Sequence, residues 1–310
     1  MPYPGLDPWR VQYFADHPTP EGVIIPIDDA SAWQLYPAHR WVYNKLLICE
    51  TQGLPHGPHG TLPESYPVFS KPIYNMKGMG MGGRLVEREE EYLAAHEPGH
   101  MWMPFLTGPH VSSDAALLDG TPVWWRHTTG KPGPEGTFDY WTVHAEPDAA
   151  LESYLSTWVG RHLGGFTGVV NFETIGGRII ECHLRMAEQW LDLNGPGWLA
   201  AVIELYARKR WRFADERSEG FSVVLFGCHG VRWSIDRAAV DRLLERPAIS
   251  SIQITFEEED DPEEYAMPPG GFRLAIVNCW DLAEGRAVRE ALSRLFVARE
   301  AKMESPAESP

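Results

Sequence analysis

The sequence predicts a mixed α+β fold, because strand-like and helix-like patterns alternate along most of its 310 residues. Short apolar runs such as residues 111–118 are typical of buried strands. Residues 147–164 instead place Leu151, Leu155 and Trp158 at the spacing of one buried helix face. With 44% hydrophobic and 23% charged residues, the chain has enough apolar material for a large core.

The remaining elements are predicted from the same two patterns, short apolar runs for strands and the spacing of one buried face for helices. After the strands that precede the helix at 147–164, two further strands and a second long helix are predicted. The last hundred residues repeat the alternation on a smaller scale. The predicted strands are residues 23–27, 66–70, 101–106, 111–118, 123–127, 168–173, 178–184, 221–226, 251–256 and 272–278, and the other helices are 198–208, 236–245 and 282–297.

Charge and composition exclude several classes of protein. The 43 acidic residues outnumber the 27 basic ones, and the formal charge of −16 disfavours nonspecific nucleic-acid binding. No segment has the roughly 20 consecutive apolar residues of a membrane span, and the first residues lack a signal-peptide pattern. The four cysteines are widely separated, which favours buried reduced thiols. We therefore expect a cytoplasmic protein that binds neither nucleic acid nor membrane.

A glycine-rich loop occupies residues 78–83. Gly78, Gly80 and Gly83 match the G-x-G-x-x-G pattern of dinucleotide sites, but a helix should follow such a loop, whereas residues 84–86 look extended. The loop exposes backbone amides beside Lys71 and Lys77, which suits the covering of a triphosphate. An ordinary surface turn is the alternative interpretation.

Charged residues alternate along the second of two adjacent predicted strands. Glu181, His183 and Arg185 share one face of it, because alternate side chains in a strand point the same way. A two-residue loop at residues 176–177 would place Glu173 opposite Ile180, on the wrong face. A three-residue loop at 176–178 would pair Glu173 with Glu181 and give two carboxylates for a cation. An amphipathic hairpin with a charged outer face is the alternative.

Five segments, in this order, resemble the ATP-grasp superfamily, specifically its biotin-carboxylase-like carboxylate–amine ligases. The resemblance spans residues 23–193, and residues 271–295 also resemble the closing segment of these proteins. Met103 and Pro104 stand near the position of a glutamate in the family's hinge, and His183 stands where the family has asparagine. The five segments are the helix start at 43–45, the P-V-x-x-K-P-like strand at 66–72, the loop at 78–83, the hinge at 105–114 and the block at 168–185.

The resemblance implies two α+β subdomains that clasp ATP, together with Mg²⁺ or, as an alternative, Mn²⁺. It assigns catalytic roles to Lys71 and Arg185, and metal binding to Glu173, Glu181 and His183. It further implies that nucleotide is bound by Lys45, Lys71, Lys77, Gly78, Gly80, Gly82, Gly83, Met103, Phe105, Leu106 and His110.

The same resemblance implies the domain organisation. Residues 1–42 would be a truncated N-terminal segment, and residues 43–210 the ATP-grasp region, with a small lid subdomain at about 60–104. Residues 211–298 would form a C-terminal α/β unit, followed by a disordered tail at 299–310.

The expected function is that of an ADP-forming ligase that joins a small-molecule carboxylate to an amine through an acyl phosphate. An ATP-grasp kinase and a non-catalytic nucleotide-binding or scaffolding relative are the alternatives. Whether the chain forms a homodimer or binds a partner subunit is left open.

Overall fold

Two antiparallel sheets organise the chain, for which a computed structural model describes residues 12–76, 80–256, 258 and 270–299. The larger sheet has eight strands and the smaller has four, and a two-stranded ribbon lies apart from both. The strands are β1 (Gly57–Pro58), β2 (Val68–Pro72), β3 (Arg84–Val86), β4 (His100–Pro104), β5 (His110–Leu118), β6 (Thr121–Pro132), β7 (Phe138–Val143), β8 (Gly168–Ile175), β9 (Arg178–His183), β10 (Gly220–Gly227), β11 (Arg232–Ile235), β12 (Ile249–Ile254), β13 (Phe272–Cys279) and β14 (Phe296–Arg299).

Seven α-helices lie within the described residues. Short 3₁₀ segments occur at Arg40–Tyr43, Pro134–Gly136 and Leu191–Asn194. No helix of the described chain is long and apolar enough to cross a membrane. The helices are α1 (Asp29–Leu35), α2 (Lys45–Glu50), α3 (Glu89–Ala94), α4 (Ala149–His162), α5 (Trp198–Arg208), α6 (Arg237–Leu244) and α7 (Leu282–Ser293). The α+β class predicted from the sequence is therefore confirmed.

The large sheet runs in the order β12-β13-β10-β7-β6-β5-β8-β9. Its strands come from both sides of the predicted boundary at residue 210, since β10 pairs with β7 over residues 220–223 and 140–143. The C-terminal strands thus extend the same sheet. At the other end, β9 is an edge strand that pairs with β8.

Helix α4 covers one face of the large sheet, as its periodicity predicts. The Asp148 side chain accepts a hydrogen bond from the Leu151 amide at its N-terminus, which satisfies one of the free N–H groups there. Leu155, Trp158 and Val159 are buried in a core with strands β5, β8 and β9. The apolar face predicted for this helix is therefore the face that packs in the core.

The small sheet has the order β1-β4-β2-β3 and is built from the segment predicted to be a lid. Its own core contains Val68, Val86, Tyr92 and Trp102. A second cluster, in which Met101 and Met103 pack with Ile180 of β9, joins it to the large sheet. The two sheets therefore meet over an apolar floor.

Some predicted elements differ in the structure. Residues 23–27 are not a strand, although Ile25 and Ile27 are buried by side-chain packing against the core. The helix predicted at 282–297 ends at Ser293, because residues 296–299 form β14 and pair with β11. Cys228 is exposed, in contrast to the buried Cys49, Cys182 and Cys279.

Arg299, the first residue of the tail predicted to be disordered, instead ends β14 and pairs with Arg232, and residues 300–310 lie outside the described residues.

Candidate functional site

A cleft with an open volume of about 710 Å³ lies between the small sheet and the β8–β9 edge of the large one. Its walls combine apolar side chains with three charged groups, Lys45, Lys71 and Glu181. Such a mixture suits a ligand that has an apolar ring and a charged end. The lining residues are Lys45, Phe69, Lys71, Pro72, Asn75, Gly80, Met81, Gly83, Met103, Pro104, Phe105, Leu106, Ile175, Ile180 and Glu181.

Two buried lysines reach the cleft from different elements. Lys45 begins α2 behind the cap residue Asn44, and its Nζ lies 3.6 Å from Oε1 of Glu181. Lys71, on β2, donates a hydrogen bond of 2.9 Å to the carbonyl of Ile180. Burial lowers the pKa of Lys71 to about 8, although the Glu181 carboxylate opposes that shift. Both ammonium groups are therefore held close to one strand, β9.

The β8–β9 hairpin places Glu173 directly opposite Glu181, as predicted, but by a different route. The loop has two residues, Gly176 and Gly177, whose positive φ values of 55° and 76° suit a tight hairpin turn. A β-bulge at Ile180 then shifts the register, so that Thr174 pairs with Ile179 and Glu173 with Glu181. The expectation that pairing Glu173 with Glu181 requires a three-residue loop is therefore wrong, because the extra residue lies in the strand.

A buried network of charges lies at the end of β9. Nδ1 of His183 is 3.1 Å from both carboxylate oxygens of Asp29, and its Nε2 is 3.4 Å from Glu181. The Arg185 guanidinium contacts the same Asp29 carboxylate through two nitrogens at 3.0 Å. Asp29 is the first residue of α1 and is only 3% exposed. It therefore pairs with two cations, one at the last residue of β9 and one two residues beyond it.

Each group in this network shifts the pKa of its neighbours. Burial would lower the pKa of His183, but the Asp29 carboxylate raises it to about 9. Burial would raise the pKa of Asp29, but Arg185 and His183 hold it well below its usual range. The same opposition holds for Glu181, where burial is outweighed by Lys45, His183 and Lys71 and the pKa is strongly lowered. At neutral pH these groups are therefore all charged.

Glu173 pairs with a different side chain, that of His110. Its Oε2 lies 2.6 Å from Nε2 of His110, which begins β5. Burial disfavours the charged imidazole, yet the Glu173 carboxylate raises the pKa of His110 above its ordinary value. The two facing carboxylates, Glu173 and Glu181, thus have separate partners.

The carboxylates fit a divalent metal better than the histidine does. Glu173 and Glu181 share one face of the hairpin and supply the oxygen ligands that Mg²⁺ prefers. His183 does not fit as a ligand, because both of its ring nitrogens face carboxylates and a protonated imidazole has no lone pair to give. Among the described residues, no three His, Cys, Asp or Glu side chains are arranged to hold a metal ion.

Several solved structures share this architecture. An L-amino acid ligase from Bacillus licheniformis matches with a TM-score of 0.61 at 14% identity, covering 94% of this chain and 83% of that one. A phosphoribosylamine–glycine ligase from Thermotoga maritima matches with a TM-score of 0.63 at 15% identity, covering 90% and 84%. A biotin carboxylase domain from Hydrogenobacter thermophilus, in complex with MgADP, ADP and bicarbonate, matches at 0.60 and 13%, covering 96% and 74%.

The chain has an ATP-grasp fold. The resemblance stated from the sequence is thereby confirmed at the level of the fold. No protein-family model and no curated protein matches this sequence.

Within the ATP-grasp fold, most of the predicted nucleotide residues line the cleft. Lys45, Lys71, Gly80, Gly83, Met103, Phe105 and Leu106 are all among its lining residues. Gly82 of the loop is not among the lining residues and lies near Pro72 and His100, and His110 is paired with Glu173. Lys77 and Gly78 lie outside the described residues.

Sequence reasoning missed Asp29, which lies in the segment expected to be an N-terminal remnant. It contacts His183 across 154 positions of sequence. The available signal was the pair of carboxylates that follows the apolar run at residues 23–27. Asp28 caps the helix, and Asp29 is its first residue. That signal indicates a helix start but says nothing of the distant partner.

Proposed function

We propose that the chain is an ATP-dependent, ADP-forming ligase that joins a small-molecule carboxylate to an amine. The observation that carries the proposal is the position of Lys45, Lys71 and Glu181 in one cleft between the two sheets of an ATP-grasp fold. The names of the similar structures support it, since they include an L-amino acid ligase and a phosphoribosylamine–glycine ligase.

The lysines and the glycine loop would hold the triphosphate. Lys45 and Lys71 supply two positive charges, and Gly80 and Gly83 of the loop line the same cleft, where the Gly83 amide donates to the Gly80 carbonyl. The apolar wall of Phe69, Met103 and Phe105 would take the adenine ring. This division matches the charged and apolar halves of ATP.

Glu173 and Glu181 would hold Mg²⁺ through their carboxylate oxygens, the ligand type that this ion prefers. When bound, the metal neutralises charge on the phosphate oxygens as the phosphoryl group is transferred. Mn²⁺ would fit the same oxygen ligands. The presence of an MgADP complex among the similar structures supports this assignment.

The reaction would proceed in two displacements. A carboxylate oxygen of the substrate attacks the γ-phosphorus, the bond to ADP breaks, and an acyl phosphate forms. The amine then attacks the acyl carbon, phosphate leaves with the bonding electrons, and the amine loses a proton to solvent. Arg185, fixed by Asp29, would place positive charge near the transferring group, where alignment and neutralisation matter most.

One observation favours a non-catalytic relative as the second candidate. His183 is fully engaged by Asp29 and Glu181, at a position where the ATP-grasp pattern has an asparagine. An ion pair at this position stabilises the fold whether or not ATP is turned over. Such a protein would bind nucleotide without forming product.

Nucleotide binding and product identity test the proposal. ATP with Mg²⁺ should raise the melting temperature of the protein. Lys71→Met should abolish that shift. Lys131→Met, at the exposed end of β6, should retain it. With the standard amino acids as substrates, we expect ADP, phosphate and an amide in equal amounts. A stable phosphorylated product would instead indicate a kinase, and binding without turnover the non-catalytic relative.

A further inference from the structure

Gln52 lies just beyond α2 and hydrogen-bonds with the outer edge of β9. Its Nε2 donates to the carbonyl of Ile179 at 2.8 Å, and its Oε1 accepts from the Ile179 amide at 2.8 Å. One side-chain amide therefore satisfies both main-chain groups of Ile179 on this edge, as a neighbouring strand would.

The orientation of the Gln52 amide is itself fixed. The Tyr154 hydroxyl, on α4, donates to Oε1 at 2.6 Å, and Nε2 also donates to the Ile48 carbonyl at 2.9 Å. The oxygen thus accepts two hydrogen bonds and the nitrogen donates two, which uses both N–H groups and both lone pairs. Rotating the Gln52 amide by half a turn would place Nε2 opposite the two donors, the Ile179 amide and the Tyr154 hydroxyl. It would also place Oε1 opposite the two acceptors, the carbonyl oxygens of Ile179 and Ile48.

Ile179 immediately precedes the bulge that sets the register of the candidate site. The next residue, Ile180, is the extra residue of the bulge, and its carbonyl accepts the hydrogen bond from Lys71. Glu181 follows, opposite Glu173. Because a slip of one residue moves alternate side chains to the other face, holding Ile179 fixes where Glu181 points.

Gln52 also ties β9 to the helix that carries Lys45. Helix α2 begins at Lys45 and ends at Glu50, two residues before Gln52. Helix α2 and strand β9 are therefore joined at both ends of the helix. Lys45 contacts Glu181 at its start, and Gln52 hydrogen-bonds with Ile179 just beyond its end.

We infer that Gln52 is a positioning residue, which holds the β9 bulge in register and so keeps Glu181 opposite Glu173 and beside Lys45. For its effect on turnover, this inference rests on the proposed function. The effect of Gln52 on the register of the β8–β9 hairpin can be measured without nucleotide.

The first experiment compares hydrogen exchange of residues 178–184 in the nucleotide-free protein. Gln52→Leu removes the four hydrogen bonds at similar size. The matched control, Thr51→Ala, removes the bonds from Thr51 to Ile48 and from Trp158 to Thr51, at the same helix end but none to β9. We expect exchange in this segment to be about tenfold faster in Gln52→Leu than in Thr51→Ala, after correction for global stability.

Equal exchange in the two variants would overturn the inference. Tyr154→Phe, which removes one of the four bonds, serves if Gln52→Leu does not fold. It should give a smaller increase confined to the same segment, and no increase would likewise overturn the inference.

The second experiment measures turnover and the KM for MgATP. Gln52→Leu should raise that KM and lower kcat/KM by about tenfold relative to Thr51→Ala, because misplacement of Glu181 weakens metal and phosphate binding. An unchanged KM with faster exchange would overturn the link between register and binding. If the wild-type protein turns over no substrate, the proposed function fails, while the exchange result still decides the role of Gln52.

Discussion

At the scale of single residues, the carboxylates of the hairpin are stabilised by cations of the protein itself. Glu181 lies between Lys45 and His183, while Glu173 is paired with His110. Two facing carboxylates would repel each other if they had no partners. The pKa of Glu181 is lowered because Lys45, His183 and Lys71 outweigh the effect of its burial.

Removing the Glu181 charge should therefore harm both stability and chemistry. For Glu181→Gln we expect the free energy of unfolding to fall by about 2 kcal/mol, since Lys45 and His183 lose a buried partner. Turnover with ATP and Mg²⁺ should fall by on the order of a hundredfold or more. Urea unfolding and steady-state kinetics measure the two effects. Glu204→Gln, which breaks a surface pair with Arg208 on α5, is the control and should change neither appreciably.

His183 should make stability depend on pH. Its pKa is raised from 6.5 to about 9, so its contribution is fully present below about pH 6.5 and is lost as the pH rises towards 9. The charged groups that face it are Asp29, Glu181 and Arg185, which stay ionised throughout this range. Lys71, whose pKa is lowered to about 8, contributes in the opposite direction at higher pH.

The test compares the wild-type protein with His183→Gln between pH 6.5 and 8, where the contribution of Lys71 is small and common to both. The wild-type free energy of unfolding should fall more steeply with pH than that of the variant. Parallel curves in urea titrations would contradict a protonated His183.

At the scale of elements, local periodicity predicted most of the large sheet and four of the seven helices in the described residues, namely α4, α5, α6 and α7. Helix α5 has the predicted bounds, and α4 differs from its predicted range by two residues at each end. The small strands β11 and β14 were missed because each is only four residues long and pairs over a long sequence distance. Strand β7 was missed because most of its residues are only half-buried, which weakens its alternation.

The hairpin shows why part of the site lay beyond sequence reasoning. The sequence left open whether Glu173 and Glu181 share a face, because that depends on the register of the hairpin. The bulge, however, lies where Gln52 and Lys71 reach β9 from other elements and hydrogen-bond with Ile179 and Ile180. The same limit applies to Asp29, since no local pattern reports a contact 154 residues away.

The two glycines of the hairpin turn should differ in their tolerance of a side chain. Both have positive φ, so alanine at either costs roughly 1–2 kcal/mol of strain. A Cβ at Gly176 would also lie 2.3 Å from the Thr107 carbonyl oxygen, whereas Gly177 faces open space. Urea unfolding should show a loss of about 3 kcal/mol for Gly176→Ala and the smaller strain alone for Gly177→Ala. Equal losses would contradict this packing of the turn.

At the scale of the whole molecule, the two sheets and their shared apolar floor create the cleft. Met101 and Met103 of the small sheet pack with Ile180 of β9, directly beside the carbonyl that binds Lys71. The fold therefore brings lysines from α2 and β2 to the carboxylates of β8 and β9. This convergence of charge in one cleft is the basis for proposing phosphoryl transfer to a carboxylate.

Transfer of oxygen from the carboxylate to phosphate tests that central claim most directly. The protein is incubated with ATP, Mg²⁺ and standard amino acids labelled with ¹⁸O in both carboxylate oxygens, and the released phosphate is analysed by mass spectrometry. Formation and breakdown of an acyl phosphate predicts one ¹⁸O in each phosphate, together with one ADP. Release of ADP with unlabelled phosphate, which takes its oxygen from water, would contradict the proposed ligase chemistry.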